Sequence, residues 1–465
     1  MRQLLFCLPF LFLGCRPVGP TYATPTTGLP EAFTASGGNR ALTSRWWEPL
    51  HDARLNDLIQ TALAQSPDLR IAEARLRQAR AQQGIQDASG GPQVGLGGQL
   101  SRDRLSPNSG LLANLPVKGI NPEFTTHQIA FDASWELDLF GHNQRLSEAA
   151  QARTEASTER LRDAGLVLSA EVARNYVDYR TGQQRLALAQ ANLKNHEELV
   201  RLTTLEARTG EVTSLEVQRV ETNRQVYEAG LADLRLGLRQ SLAALAVLTD
   251  LPMVTLEAQL GEASGPMVLP EAPAPGLPAD LLRRRPDVRS AERDLAAASA
   301  DIGVAVADRY PRFALVGTGG WASVQSGTLL ENASRMWSLG PQFHVPIFNR
   351  GQLKNRVEAN EAAFEAVSAS YRKAVLTAVA DVEVALTRMA RSEERRRQLL
   401  DAEARQRQLA ALTELQWKAG EVSKITLLEA RRNLLGQEDQ ALQARSQSLS
   451  ALVALCKALG GGWAE

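Results

Sequence analysis

Charge of one sign is what this chain of 465 residues lacks: 52 lysines and arginines meet 52 aspartates and glutamates, for a formal net charge of zero. No cationic surplus is left for a polyanion, which argues against nucleic-acid binding. Cysteine is scarce, at Cys7, Cys15 and Cys456, so no disulfide framework is available. The histidines, His51, His127, His142, His196 and His344, fall without ligand spacing. No phosphate loop or nucleophile motif accompanies them, so neither an enzyme nor a metal or cofactor site is expected. Paired acids such as Glu393-Glu394 adjoin Arg395-Arg396-Arg397 and read as a solvated helix face. Beyond residue 15 no run is long and apolar enough for a transmembrane helix, so an integral membrane role would have to come from strands.

What is present begins with a targeting segment. Arg2, an apolar core from Leu4 to Leu13 and Gly14-Cys15 read as a signal over residues 1–14. Leu11-Phe12-Leu13-Gly14-Cys15 resembles the bacterial lipobox, with Phe12 where leucine is usual. That resemblance implies an acylated Cys15 at the mature N-terminus, and Arg16 in place of aspartate implies sorting to the outer membrane. The alternative is an ordinary secretory signal with an incidental cysteine. Cys456, in the apolar run Leu452-Val453-Ala454-Leu455, reads as a buried small residue.

Four segments alternate with period two. Residues 93–102 put Val94, Leu96, Gly98 and Leu100 on one face, and 127–139 put Ile129, Phe131, Ala133, Trp135, Leu137 and Leu139 opposite Asp132, Ser134, Glu136 and Asp138. Segments 312–322, with Phe313, Leu315 and Trp321, and 336–348, with Trp337, Leu339, Phe343, Val345 and Ile347, repeat the pattern. Such alternation, with Trp135, Trp321 and Trp337 as membrane-interface aromatics, fits lipid-facing barrel strands; a half-buried soluble sheet fits it equally.

An internal duplication favours the barrel. Ser66-Pro67-Asp68-Leu69-Arg70-Ile71-Ala72-Glu73 recurs as Arg285-Pro286-Asp287-Val288-Arg289-Ser290-Ala291-Glu292, and Thr209-Gly210-Glu211-Val212 recurs as Ala419-Gly420-Glu421-Val422. Each copy reads helix, strand, strand, long helix, tight turn, helix. Residues 142–209 contain no proline and would extend ~100 Å as one helix, with 212–249 returning ~56 Å. Between the copies, the proline-rich stretch 251–280 reads as a linker. Four strands cannot close a barrel, so if they enter lipid the chain must oligomerise.

The chain resembles the bacterial outer-membrane factors, in the OprM or NodT-like branch of the TolC superfamily, along its whole length. The resemblance is carried by Val18-Gly19-Pro20-Thr21-Tyr22 behind Cys15, Trp46-Trp47, Ser134-Trp135-Glu136-Leu137-Asp138-Leu139-Phe140-Gly141, Leu281-Leu282-Arg283-Arg284-Arg285-Pro286-Asp287-Val288, Pro346-Ile347-Phe348-Asn349 and Lys457-Ala458-Leu459-Gly460-Gly461-Gly462-Trp463. It implies a mixed fold: a transmembrane β-barrel completed by a homotrimer, four strands per chain, continuing into a long α-helical periplasmic barrel. The expected division is signal 1–14, anchored N-terminal segment and equatorial region 15–65, first repeat 66–250, linker 251–283, second repeat 284–459 and tail 460–465.

The implied function is that of the exit channel of a tripartite efflux pump. Its partners would be a periplasmic adaptor, an inner-membrane transporter, proton-driven by resemblance, and outer-membrane lipid. A duct for an ATP-driven exporter and a non-pore periplasmic coiled-coil lipoprotein are the alternatives. The adaptor would meet the tips at Thr209, Gly210, Glu211 and Val212 and at Ala419, Gly420, Glu421 and Val422. The family's aperture leucine and aspartate correspond to Ile425 and Glu429. Arg219, and more weakly Arg388 and Arg391, are candidates for locking that gate.

Overall fold

The computed structural model describes residues 17–26, 28–34, 37–106, 122–262, 265 and 267–461. Cys15, Trp463 and most of the loop 103–123 lie outside the described residues. The chain folds into two compact units that each draw on both halves of the sequence. One takes Met1–Pro25, Arg77–Ala156 and Glu292–Ser370; the other takes Thr26–Leu76, Ser157–Ala291 and Tyr371–Glu465.

The element order is α1 (Ala53–Gln65), α2 (Pro67–Ser89), β1 (Gln93–Arg104), β2 (Glu123–Leu137), α3 (His142–Thr209), α4 (Ser214–Thr249) and α5 (Met253–Leu260), then α6 (Pro286–Ala307), β3 (Arg312–Ser323), β4 (Arg335–His344), α7 (Gln352–Lys418) and α8 (Lys424–Ala458). Pro67 and Pro286 open α2 and α6, each with an aspartate in the first turn, where the missing proline N–H costs nothing and the helix dipole favours an anion.

In the first unit the strands form one antiparallel sheet, ordered β1-β2-β3-β4. Its register stacks the apolar positions of all four strands in rows: Val94, Ala133, Gly317 and Leu339, then Leu96, Phe131, Gly319 and Trp337. The N-terminal segment is strapped to this unit. Val18 donates to the Phe140 carbonyl at 3.1 Å, Arg145 Nε donates to the Val18 carbonyl at 3.2 Å, and Tyr22 Oη donates to Glu292 at 2.5 Å. Gly19 lies so close to Gly303 that a Cβ on it would approach the Gly303 Cα to 2.5 Å, and a Cβ on Gly303 would in turn meet the Arg145 side chain at 2.8 Å.

In the second unit the long helices lie side by side in the order α4, α3, α8, α7. His196 of α3 stacks on Tyr227 of α4, Arg185 of α3 pairs with Asp439 of α8 at 2.7 Å, and Arg431 of α8 pairs with Glu414 of α7 at 3.1 Å. Leu242, Leu245, Leu452 and Leu455 are buried in the interior of this unit, each contributing about 1.5–3 kcal/mol by leaving water.

Two expectations need correction. The stretch read as an unpacked linker contains α5, whose Leu256 and Leu260 are fully buried. Their four-residue spacing outweighs the preceding proline, which serves as the N-cap residue. The fourth strand stops at His344 and does not run to residue 348; Ile347 and Phe348 beyond it are almost fully exposed. Helix α1 was not anticipated, although Asp52 accepting from the Leu55 amide at 3.1 Å is an ordinary N-cap. Cys456 is fully buried, and burial pushes its thiol up to about 12.

Candidate functional site

Three features carry functional geometry: the sheet face, the helical tips and the residues near them. On the sheet, the apolar face is open, with Trp337 81%, Val94 70%, Leu100 70% and Leu339 68% exposed. The opposite face carries Gln99, Gln128, Asp132 and Thr318, with Thr318 donating to Asp132 at 2.8 Å. Trp135 sits toward the helical end of its strand, where its indole N–H donates to the Gly90 carbonyl at 3.2 Å, while Trp321 pairs with Ile129 toward the loop end. Trp337 instead shares the middle row with Phe131. Among the described residues, the outer strands β1 and β4 each have one edge without a ladder partner.

The two tips are built alike. Gly210 and Gly420 have φ of +81° and +79°, and the next residue closes the helix: Glu211 donates to the Glu206 carbonyl and Glu421 to the Gln416 carbonyl, both at 2.9 Å. The positive φ is what demands glycine, since a Cβ at either position would meet no atom. Thr209, Gly210 and Glu211 are exposed and Val212 half-buried; Ala419, Gly420, Glu421 and Val422 follow the same pattern.

Just beyond the second tip, Ile425 is partly buried against a cluster of Leu199, Val220 and Leu428, so its side chain helps join α3, α4 and α8. Glu429 is half-buried one turn on. Arg219 is exposed and grips Glu216 through Nε at 3.0 and 3.1 Å; Glu429 is near enough for its charge to be felt there but is not the bonded partner. Arg388 and Arg391 are not brought to this place. Ion pairing of Arg431 with Glu414 and of Arg407 with Glu438 sets Glu429 level with about residue 416 of α7, which leaves the two arginines roughly 40 Å farther along the helix.

Two groups that sequence reasoning passed over lie near the tips. Glu198 accepts from Arg201 and from Lys424 of α8 at 2.6 Å, and these two hydrogen bonds hold its carboxyl down at about 2, so the tie between hairpins survives mild acid. His196 is 1% exposed, and neither ring nitrogen has a hydrogen-bond partner among the described residues. It belongs to the buried stripe Asn192, His196, Leu199 and Thr203, whose three- and four-residue spacing was available in the sequence. Its ring lies 4.2 Å from that of Tyr227 on α4, and Arg432 bears on it from α8. Burial first, then the Arg432 charge, lower its proton affinity.

The unfolded chain therefore takes up this proton at higher pH than the folded chain. The stability held by neutral His196 is complete above about pH 6.5 and falls as pH drops below it. Urea titrations at pH 8 and pH 5 should show a loss for the wild type that His196→Phe reduces; an equal loss in both would place the titration elsewhere.

Likeness to known proteins extends over the whole chain. The family model for outer membrane efflux protein matches residues 58–250 and 277–461. The toluene efflux pump outer membrane protein TtgC of Pseudomonas putida is 31% identical over 98% of this chain and 94% of its own. The pyoverdine export outer membrane protein OpmQ of Pseudomonas putida is 32% identical over 99% and 97%. Among solved structures, the outer-membrane channel OprN superposes with a TM-score of 0.84 at 31% identity, covering 96% of this chain and 99% of that one.

Proposed function

Since the chain belongs to the outer membrane efflux protein family, we propose that three copies join their sheets edge to edge, three sets of four strands making twelve, to close one barrel in lipid. The protein is the outer-membrane exit channel of a tripartite efflux system, passing cargo delivered by a periplasmic adaptor and an inner-membrane transporter. The observation that carries the trimer is the sheet itself: one exposed apolar face, one polar face, and two edges that would otherwise leave backbone groups bare in hydrocarbon. Relatives named for toluene efflux and for pyoverdine export match almost equally well, so likeness alone chooses no cargo.

The chain performs no bond chemistry in this reading. The transporter, proton-driven, supplies the energy, and this chain supplies a water-filled path with a gate. Glu429 rings the aperture with carboxylates, and Ile425 holds the hairpins that carry it. The tips at Thr209–Val212 and Ala419–Val422 meet the adaptor. A 1–14 signal is removed and acylated Cys15 tethers the chain; the strap from Val18 to Tyr22 supports this, because it holds the segment next to Cys15 against the sheet-bearing unit.

In planar bilayers the purified chain should conduct as a heat-resistant trimer. Glu429→Ala should weaken its cation preference, and Ile425→Ala should raise its open probability. A non-conducting monomer would end the exit-channel reading. Cysteines at Thr209 or Ala419 should crosslink to the adaptor in cells, and crosslinks arising only from sheet positions would move the docking site. Intact-mass measurement should find fatty acyl chains on Cys15, and an unmodified cysteine there would remove the anchor.

A further inference from the structure

Among the described residues, α3 and α7 of the second unit each carry covering segments on one face. On α7, the segments around Gly37-Gly38 and Leu269–Ala272 lie over Leu386, Ala390, Glu393 and Arg397, and the Thr34 amide donates to Glu383 at 2.6 Å. On α3, Tyr176 donates to Asp52 at 2.7 Å, Arg180 to the Glu262 carbonyl at 3.1 Å and Gln183 to the Gly261 carbonyl at 2.9 Å. At ~100° per residue, Arg388, Arg391 and Arg395 point ~140–200° away from Leu386, and Arg174 and Asp178 ~160–200° away from Tyr176. All five line one groove of about 540 Å³, floored by Ser446, Gln447, Ser450 and Ala454 of α8.

The charges in this groove do not cancel. Arg174 pairs with Glu171 at 2.6 Å and Arg391 with Glu394 at 2.9 Å. Arg388 and Arg395 have no acidic partner among the described residues, and Asp178 is the one carboxylate in the lining. Burial raises the Asp178 carboxyl and the Arg174 charge opposes the rise. Like charges three, four and seven residues apart on one helix face repel, a repulsion that a bound anion would relieve.

We propose that this bare face is the lumenal wall of the duct and that Arg174, Arg388, Arg391 and Arg395 form an anion-binding belt that transiently holds cargo bearing carboxylate, sulfonate or phosphate groups. The inference rests on the exit-channel reading and adds a substrate class to it. A conduit has to keep covering segments off its inner wall, and both α3 and α7 carry theirs on the side opposite the arginines. Guanidinium forks bind planar and tetrahedral oxyanions bidentately, and with three copies the belt repeats around the axis. Cargo cations would pass the carboxylates at the tips, whereas anions are held about 40 Å farther along, judged by the helix rise.

The test uses the full-length chain in planar bilayers with citrate as the probe. Citrate should block the wild-type current reversibly, and Arg388→Gln with Arg395→Gln should raise the blocking concentration about tenfold, the loss of one charged hydrogen bond. The doubly lysine-substituted chain should keep most of the block. Heat-resistant trimers from the glutamine variant would confirm its assembly. A sulfonate-bearing methanethiosulfonate reagent should lower the current through Arg395→Cys channels, a readout that does not depend on the double variant folding. Equal citrate block in wild type and glutamine variant, no block in the wild type, or labelling of the cysteine without a change in current would each overturn the belt. If Glu429→Ala alters selectivity while the arginine exchanges do not, the duct stands and the anion site falls. If no version of the chain conducts, both fall.

Discussion

Phe131→Arg should keep the chain out of the outer membrane. Phe131 lies in the row with Leu96, Gly319 and Trp337, in the middle of the apolar face, and a guanidinium at the bilayer midplane of a barrel costs about 2–4 kcal/mol per chain. The proposed closed trimer would carry the change three times, so little membrane-inserted, heat-resistant trimer should be recovered on fractionation. Gln128→Arg is the matching control: Gln128 lies between Gln99 and Ala322 on the opposite face, where a charge would meet water, and its yield should stay near wild type. If the two variants exchange behaviour, the sheet faces the other way. Phe131→Leu should insert normally, because it preserves an apolar surface.

Arg285→Met should destabilise the helical unit by about 1–3 kcal/mol, the cost of leaving a buried carbonyl acceptor without its donor, because the carboxylates of Asp287 and Asp381 stay 38% and 48% exposed and can be solvated. Arg285 Nη1 donates to the Ala458 carbonyl at 3.1 Å and to the Ala378 carbonyl at 3.4 Å, while Nη2 donates to Asp287 at 2.7 Å and to Asp381 at 3.1 Å. One guanidinium thus ties the end of α8, the body of α7 and the start of α6. It also satisfies a carbonyl in the last turn of a helix, where no amide is available within the helix.

Without Arg285, the nearby Asp163 carboxyl, already raised chiefly by burial and then by Asp287, would keep only Lys457 of the two positive charges that oppose the rise. Arg285→Lys should recover only part of the loss, since an ammonium cannot reproduce the fork. Urea midpoints and protease resistance of the three chains would measure the order. Equal stability of the methionine variant and the wild type would show that the motif around Arg285 serves something other than this clasp.

Much of this architecture was legible because its signals are local. The two long helices follow from uninterrupted runs free of proline, and the structure ends α3 at Thr209 and α7 at Lys418, just before the tip glycines. The four strands were visible as period-two alternation, within a few residues at their ends. What escaped had conflicting or weak local signals. Helix α5 stood behind prolines, α1 was a single 13-residue amphipathic helix next to loops, and β4 lost its ladder at His344 although Val345 and Ile347 continue the apolar pattern. The arginine clasp at Arg285 was read only as a family motif, because its acceptors, Ala378 and Ala458, are remote in sequence.

The sequence by itself determined the long helices and the four strands, where the hairpins reverse, that charge of neither sign dominates, and the family to which the chain belongs. These are matters of periodicity, backbone preference and residue count, each decided within a few residues or by matching motifs. Only the tertiary structure decided which face of each helix is covered and which is bare. It put Arg388 and Arg391 far from Glu429 and into a groove with Arg174 and Arg395, placed Ile425 in a packing cluster, and left His196 buried without a hydrogen bond among the described residues. The physical reason is that a helix presents every side chain somewhere around its axis, and whether a given direction meets solvent, a partner charge or a neighbouring helix depends on segments far away in the chain.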